Sequence, residues 1–147
     1  MSVQSSKSLL KVLGIVDIVM GALLLLFSTL TLAGGGLLAS GVVPMDPVEA
    51  GASGSLVLVV GGAMLLLGGF SFAEGILSCR AAKDPSKAQP AFVCAIISLV
   101  LASVSLISAI VGGGSLVSGI TGAVINVLLV MAANTLRKEG AGEALAA

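Results

Sequence analysis

Four long apolar runs constrain the fold of this chain more than any other feature of its sequence. They cover residues 12–33, 56–78, 91–111 and 115–136, and each is at least 21 residues long. A helix needs roughly 20 apolar residues to cross the ~30 Å hydrocarbon core of a bilayer. Helix is expected because the lipid interior offers no partner for an unpaired backbone group. The runs therefore predict an all-α, polytopic membrane protein with four transmembrane helices packed as an up-down bundle.

The shortage of charged side chains supports a membrane environment. Only 10% of the 147 residues are charged and 57% are hydrophobic, whereas a soluble domain carries about 25% charged residues. The run at 12–33 contains Asp17 and is too long for the apolar core of a secretory signal, which spans about 7–15 residues. We therefore interpret this first run as a retained span.

The basic residues are sorted to one side of the predicted spans. All seven lie before the first span, between the second and third, or after the fourth: Lys7, Lys11, Arg80, Lys83, Lys87, Arg137 and Lys138. Neither the connection at 34–55 nor the turn at 112–114 contains a basic residue. Because basic loops stay on the cytoplasmic side, both termini are predicted to be cytoplasmic. The expected location is the cytoplasmic (inner or plasma) membrane, with multiple crossings.

The connections differ in composition, and the whole chain, 1–147, is predicted to form one membrane domain. Gly and Pro are frequent at 34–55, which predicts a mobile outer loop. The predicted cytoplasmic loop at 80–90 is short and polar, and Pro85 and Pro90 prevent one continuous helix there. Residues 139–147 are expected to form a frayed tail.

Small residues recur at helical spacing along the spans and predict the faces by which the helices pack. Helices in lipid associate through small residues, which allow their backbones to approach closely. Residues three, four or seven positions apart lie on one side of a helix. The glycines that we assign to this helix-packing seam are Gly14, Gly21, Gly61, Gly68, Gly75, Gly119 and Gly122.

Two acids and one amide within the spans are the candidate functional residues. Asp17 and Glu74 both lie in the cytoplasmic third of their predicted spans, and Asn126 lies near mid-membrane. Acids inside a membrane often belong to proton or ion pathways. The three residues are therefore candidates for proton or cation handling.

A structural interpretation of the same residues is open as well. The acids would then hydrogen-bond Ser71, Ser98 or Asn134, or reach towards basic loop residues. Asn126 would tie neighbouring helices together, as intramembrane amides commonly do.

Several kinds of catalytic and metal site are excluded by composition. The chain contains no His, so Ser–His and Cys–His arrangements and His-based metal sites are impossible. Cys79 and Cys94 have no CxxC partner and are expected to be packing residues. We expect no enzymatic activity, no metal and no cofactor. With a net charge of zero, no nucleic-acid partner is expected, and the expected partners are the lipid bilayer and other membrane proteins or further copies of the chain.

The segment that joins the second and third spans resembles part of a known group of proteins. It reads Glu74-Gly-Ile-Leu-Ser-Cys-Arg-Ala-Ala-Lys-Asp-Pro-Ser-Lys87 and is followed by Pro90 and the apolar third span. Over spans two and three the chain is similar to uncharacterised small four-span bacterial membrane proteins. The resemblance implies a bacterial cell membrane and no specific activity.

Two functions are therefore compatible with the sequence. The first is a non-enzymatic membrane component, a packing, scaffold or accessory subunit that works through helix contacts. The second is a small proton- or cation-linked transporter or channel subunit that uses Asp17 and Glu74.

Overall fold

Four long helices form the described part of the chain. The computed structural model describes residues 2–40, 47–112 and 116–146. The helices are α1 (Val3–Ala39), α2 (Pro47–Lys83), α3 (Ala88–Gly112) and α4 (Leu116–Ala146). Each of the four contains a stretch that is long and apolar enough to cross a membrane. The prediction of an all-helical chain with four potential spans is confirmed.

Helices α1 and α2 extend into the region that was expected to be a loop. Residues 34–39 belong to α1 and residues 47–55 to α2, so the predicted outer loop at 34–55 is wrong at both ends, while 41–46 lie outside the described residues. The physical reason is packing between the two helix ends. A Cβ atom on Gly35 would come within 2.9 Å of Val57 Cγ1, so the glycine is used for close contact rather than for a turn.

Helix α4 also continues further than expected. It runs to Ala146, so the prediction of a frayed tail from residue 139 is wrong over the described residues, and residue 147 lies outside them. Gly140 is buried, and a Cβ atom there would lie 2.6 Å from the Pro85 carbonyl oxygen. This close packing holds the end of α4 against the connection between α2 and α3.

That connection is a single 3-10 turn at Pro85–Lys87. The predicted loop at 80–90 is therefore too long at both ends, because α2 runs to Lys83 and α3 begins at Ala88. Asp84 has extended backbone angles, as expected for a residue before proline. Its carboxylate accepts hydrogen bonds from the Ser86 amide at 3.1 Å and hydroxyl at 2.6 Å. These contacts replace the helical hydrogen bonds that Pro85 interrupts.

The chain divides into two compact units. The terminal unit consists of Met1–Val16 and Glu74–Ala147, and the central unit consists of Asp17–Ala73. All four helices contribute to the buried core of the terminal unit. Its members are Leu10, Ala81, Ala88, Ala91, Ala132, Ala133 and Leu136. Alanine predominates in this core because small side chains let helices approach closely without a polar cost.

Large apolar side chains point away from these contacts throughout the described residues. Val59, Leu66 and Val117 are 73%, 74% and 76% exposed. Contiguous exposed apolar surface is rare in soluble proteins, and here it continues along helices long enough to span a bilayer. Together the four apolar helices indicate a membrane protein.

Candidate functional site

The closest helix contact in the central unit joins α1 to α2 at glycines. A Cβ atom on Gly21 would lie 2.6 Å from the Phe72 amide nitrogen and 2.9 Å from the Gly68 carbonyl oxygen. Conversely, a Cβ atom on Gly68 would lie 3.0 Å from the Leu25 amide nitrogen. Backbone meets backbone here, and no residue larger than glycine fits without a shift.

The same register continues along the central unit. Gly21 contacts Phe72 and Gly35, later on α1, contacts Val57, earlier on α2. The residue numbers increase on one helix as they decrease on the other, so the two helices are antiparallel. Gly61 faces Leu32, whose Cγ atom would lie 2.9 Å from an added Cβ. Seven-residue spacing keeps each of these positions on one side of its helix.

A similar contact occurs within the terminal unit. A Cβ atom on Gly14 would lie 2.9 Å from the Gly75 carbonyl oxygen and 3.1 Å from the Ser78 Cβ. One turn earlier on α1, the Lys11 carbonyl oxygen accepts a hydrogen bond of 3.9 Å from the Cys79 thiol. Cys79 therefore contributes to helix packing, as expected from its sequence context.

The assigned glycines differ in their surroundings. Gly14, Gly21, Gly61 and Gly68 lie at close contacts between α1 and α2, and Gly75 supplies the carbonyl that faces Gly14. Among the described residues an added Cβ on Gly122 would meet nothing within 4 Å, so no close helix contact is seen at this glycine. Helix α4 packs instead through Leu129, Ala132, Ala133 and Leu136, which are buried nearer its other end. The surroundings of Gly119 lie outside the described residues.

Sequence reasoning missed one glycine of the contact, Gly35, and the burial of a second glycine, Gly54. Gly35 and Gly54 are both buried, and they continue the seven-residue spacing of Gly21 on α1 and of Gly61 on α2. They were assigned to a loop because glycine-rich segments usually break helices. The heptad spacing was the signal that could have identified them.

Glu74 is held inside the terminal unit. It is 5% exposed, and its Oε2 atom accepts a hydrogen bond from the Ser98 hydroxyl on α3. Ser98 is one of the three partners proposed by the structural interpretation of the sequence. Another of these three residues, Asn134, accepts a hydrogen bond of 3.1 Å from Arg137 Nη2. A hydrogen bond between α2 and α3 stabilises a buried polar group that would otherwise be costly in this environment.

Asp17 and Asn126 have simpler surroundings. Asp17 lies in the central unit and is half-buried. Its Oδ2 atom is inaccessible to solvent and has no hydrogen-bond partner among the described residues. Asn126 donates a hydrogen bond of 2.9 Å from Nδ2 to the Gly122 carbonyl oxygen, one turn earlier on α4. The amide therefore binds its own helix in this structure.

The terminal unit contains all seven basic residues of the chain. Arg137 lies over the Phe92 ring, with its guanidinium carbon 4.2 Å from the ring centre. Lys87 forms an ion pair with Asp84, with 2.9 Å between Nζ and Oδ2. Hydrogen bonds from Ser86 and Lys87 hold the pKa of Asp84 below its usual range. Two of the seven basic residues, Arg137 and Lys87, therefore interact with Phe92 and Asp84 respectively.

Three other lysines surround a groove between the first turns of α1 and the last turn of α2. We call it the lysine groove. It has a volume of about 370 Å³ and is lined by Gln4, Lys7, Ser8, Lys11, Ala82 and Lys83. Two smaller cavities lie in the same unit, one beside Arg80 and Lys87 and the other beside Arg137. None of the three is lined by Asp17, Glu74 or Asn126.

Over the residues that the structure describes, no three His, Cys, Asp or Glu side chains are grouped so that they could hold a metal ion. Comparison of the chain with protein-family models, with curated proteins and with solved structures finds no match. The similarity of spans two and three to small bacterial membrane proteins stays a prediction.

Proposed function

We propose that this protein is a non-enzymatic component of the membrane, a packing, scaffold or accessory subunit that works through helix contacts. The observation that carries the proposal is the approach of α1 and α2 at glycine, where an added Cβ on Gly21 would lie 2.6 Å from backbone. Such contacts leave no space for a substrate between these helix faces. They also favour rigid helix pairs, which suit a structural role.

The proposal includes an arrangement of the chain in the membrane. The four helices form an up-down bundle in the cytoplasmic membrane with both termini in the cytoplasm. Support comes from the basic residues, all of which belong to the terminal unit, whereas the central unit, residues 17–73, contains none. Positive charge is retained on the cytoplasmic side during insertion. Other membrane proteins or further copies of the chain are the proposed partners, with lipid covering the remaining apolar surface.

A proton- or cation-linked transporter or channel subunit is the second candidate, and one observation favours it. The Oδ2 atom of Asp17 is buried without a hydrogen-bond partner among the described residues. A buried carboxyl oxygen of this kind is suited to exchange a proton or bind a cation. Against this role, Glu74 is engaged by Ser98 and Asn126 by its own helix, which supports a structural use of both.

One double variant, Asp17→Asn with Glu74→Gln, separates the two functions. Both substitutions keep the size of the side chain and its ability to form hydrogen bonds, and both remove its negative charge. If the protein is a structural component, we expect the free energy of unfolding of the variant to lie within about 1 kcal/mol of the wild-type value. We also expect proteoliposomes with wild-type protein to hold an imposed pH gradient as long as empty liposomes do.

The opposite result would select transport. If the wild type dissipates the gradient and the double variant does not, the scaffold proposal is wrong. Extraction from the native membrane in mild detergent provides an independent check. A scaffold or accessory subunit is expected to elute in a complex larger than a single 14.3 kDa chain with its detergent, and recovery only as a monomer would contradict this function.

A further inference from the structure

Three lysines line the lysine groove, and among the residues that the structure describes no carboxylate lines it. Asp84 follows Lys83 directly, but it forms its ion pair with Lys87 outside the groove. Lys7, Lys11 and Lys83 therefore place three positive charges around one cavity. Like charges repel each other, and this repulsion is relieved when an anion occupies the space between them.

The groove has the size and the donors for an oxyanion. Its volume of about 370 Å³ falls within the range of ligand pockets, about 300–1,000 Å³. Besides the three lysines, its lining includes Gln4 and Ser8, whose side chains can donate hydrogen bonds. Ammonium, amide and hydroxyl donors together are the groups that bind phosphate oxygens in proteins.

The apolar surface next to the groove indicates where the phosphate comes from. Val12 follows Ser8 and Ile15 follows Lys11 at a spacing of four residues on α1, which places each pair on one side of the helix. Val12 is 57% and Ile15 is 49% exposed. A ligand seated among the lysines would therefore meet an uncovered apolar strip on the same helix. A molecule with a phosphate head and hydrocarbon chains matches both surfaces.

From these observations we infer that the lysine groove binds the phosphate headgroup of an anionic phospholipid, whose acyl chains lie against Val12 and Ile15. Basic pockets between helices at the membrane surface bind such headgroups. The site fixes one lipid at the junction of α1 and α2. It is independent of Asp17 and Glu74, so it is compatible with either function considered above.

The test measures lipid selectivity of the full-length protein. Wild-type protein is reconstituted in phosphatidylcholine vesicles, and its association with spin-labelled phosphatidylglycerol is compared with that of spin-labelled phosphatidylcholine by electron paramagnetic resonance. A preference for the anionic label is expected. Each of Lys7→Gln, Lys11→Gln and Lys83→Gln should reduce it by about five-fold, because each removes one of the three positive charges that hold the headgroup in the groove. The triple variant should show no preference.

Two controls separate a site from a general attraction of charge. Lys138→Gln removes the same charge from the same unit but not from the groove, and should leave the preference unchanged. The triple Lys→Arg variant keeps the charges and should retain it, which also shows that the fold tolerates substitution there. The inference would be overturned if Lys138→Gln and Lys83→Gln reduced the preference for the anionic label equally, or if the triple Gln variant retained that preference.

A further arm distinguishes a lipid from a free phosphate. Inorganic phosphate is added at millimolar concentration at constant ionic strength, because salt alone screens the lysines. Spin-labelled phosphatidylglycerol should stay bound to the protein, since its acyl chains hold it at the groove. Displacement of the label by phosphate would assign the groove to a soluble oxyanion and overturn the lipid as its source.

Discussion

At the residue scale, the presence or absence of one methyl group decides whether α1 and α2 can meet. Gly21 and Gly69 both lie in the central unit, yet they face different surroundings. An added Cβ on Gly21 meets the backbone of α2 at 2.6 Å, whereas one on Gly69 meets no described atom within 4 Å. The two glycines therefore form a matched pair for testing the contact.

We expect Gly21→Ala to destabilise the protein by roughly 1–3 kcal/mol, the cost of forcing extra volume into a packed contact. Gly69→Ala should be neutral or up to about 1 kcal/mol more stable, because alanine favours a helix over glycine. Reversible unfolding in mixed detergent measures both. If the two variants unfold alike, α1 and α2 do not approach at Gly21.

The chemistry of single residues was partly predictable from the sequence. A hydrogen bond from the Ser98 hydroxyl to the Glu74 carboxylate was one of the alternatives that the sequence left open for the two acids. The surroundings of Asp17 were not predictable. Whether a carboxyl oxygen finds a partner depends on the rotation of its helix, and a change of one residue step turns a side chain by about 100°.

At the element scale, the number and type of helices followed from the sequence, while their ends did not. Apolar runs longer than 20 residues have one conformation available in lipid, so four helices were predicted. Helix ends depend on local competition between propensity and packing. Gly35 was placed in a predicted loop and Gly140 in a predicted frayed tail, but both are buried at contacts, and packing overrides the low propensity of glycine.

The end of α4 provides the test of this explanation. Gly140→Ala would place a Cβ 2.6 Å from the Pro85 carbonyl oxygen, whereas the Cβ of Gly142→Ala would have no neighbour within 4 Å in the part of the chain that the structure describes. We expect Gly140→Ala to raise amide hydrogen exchange at residues 139–146 by at least ten-fold, equivalent to about 1.4 kcal/mol. Gly142→Ala should lower the exchange or leave it unchanged. A frayed tail would instead respond to both substitutions in the same direction.

At the scale of the whole molecule, the distribution of charge predicts the orientation. The two native cysteines, Cys79 and Cys94, are first replaced by alanine, and one cysteine is then introduced at Lys83, Ala141 or Ala50. A membrane-impermeant maleimide added to intact cells should label position 50 and should leave 83 and 141 unmodified until the cells are opened. This pattern follows from the retention of basic segments in the cytoplasm. Labelling of position 83 from outside would reverse the proposed orientation.

The length of α1 has a consequence for the choice of membrane. Its apolar stretch, residues 12–39, corresponds to ~42 Å of helix, against a hydrocarbon core of ~30 Å. Such a hydrophobic mismatch is relieved by tilting the helix or thickening the surrounding lipid, at fractions of a kcal/mol per Å. Because Gly21 ties α1 to α2, the two helices must tilt together. The protein is therefore expected to concentrate in the thicker regions of its bilayer, where less deformation of the lipid is required.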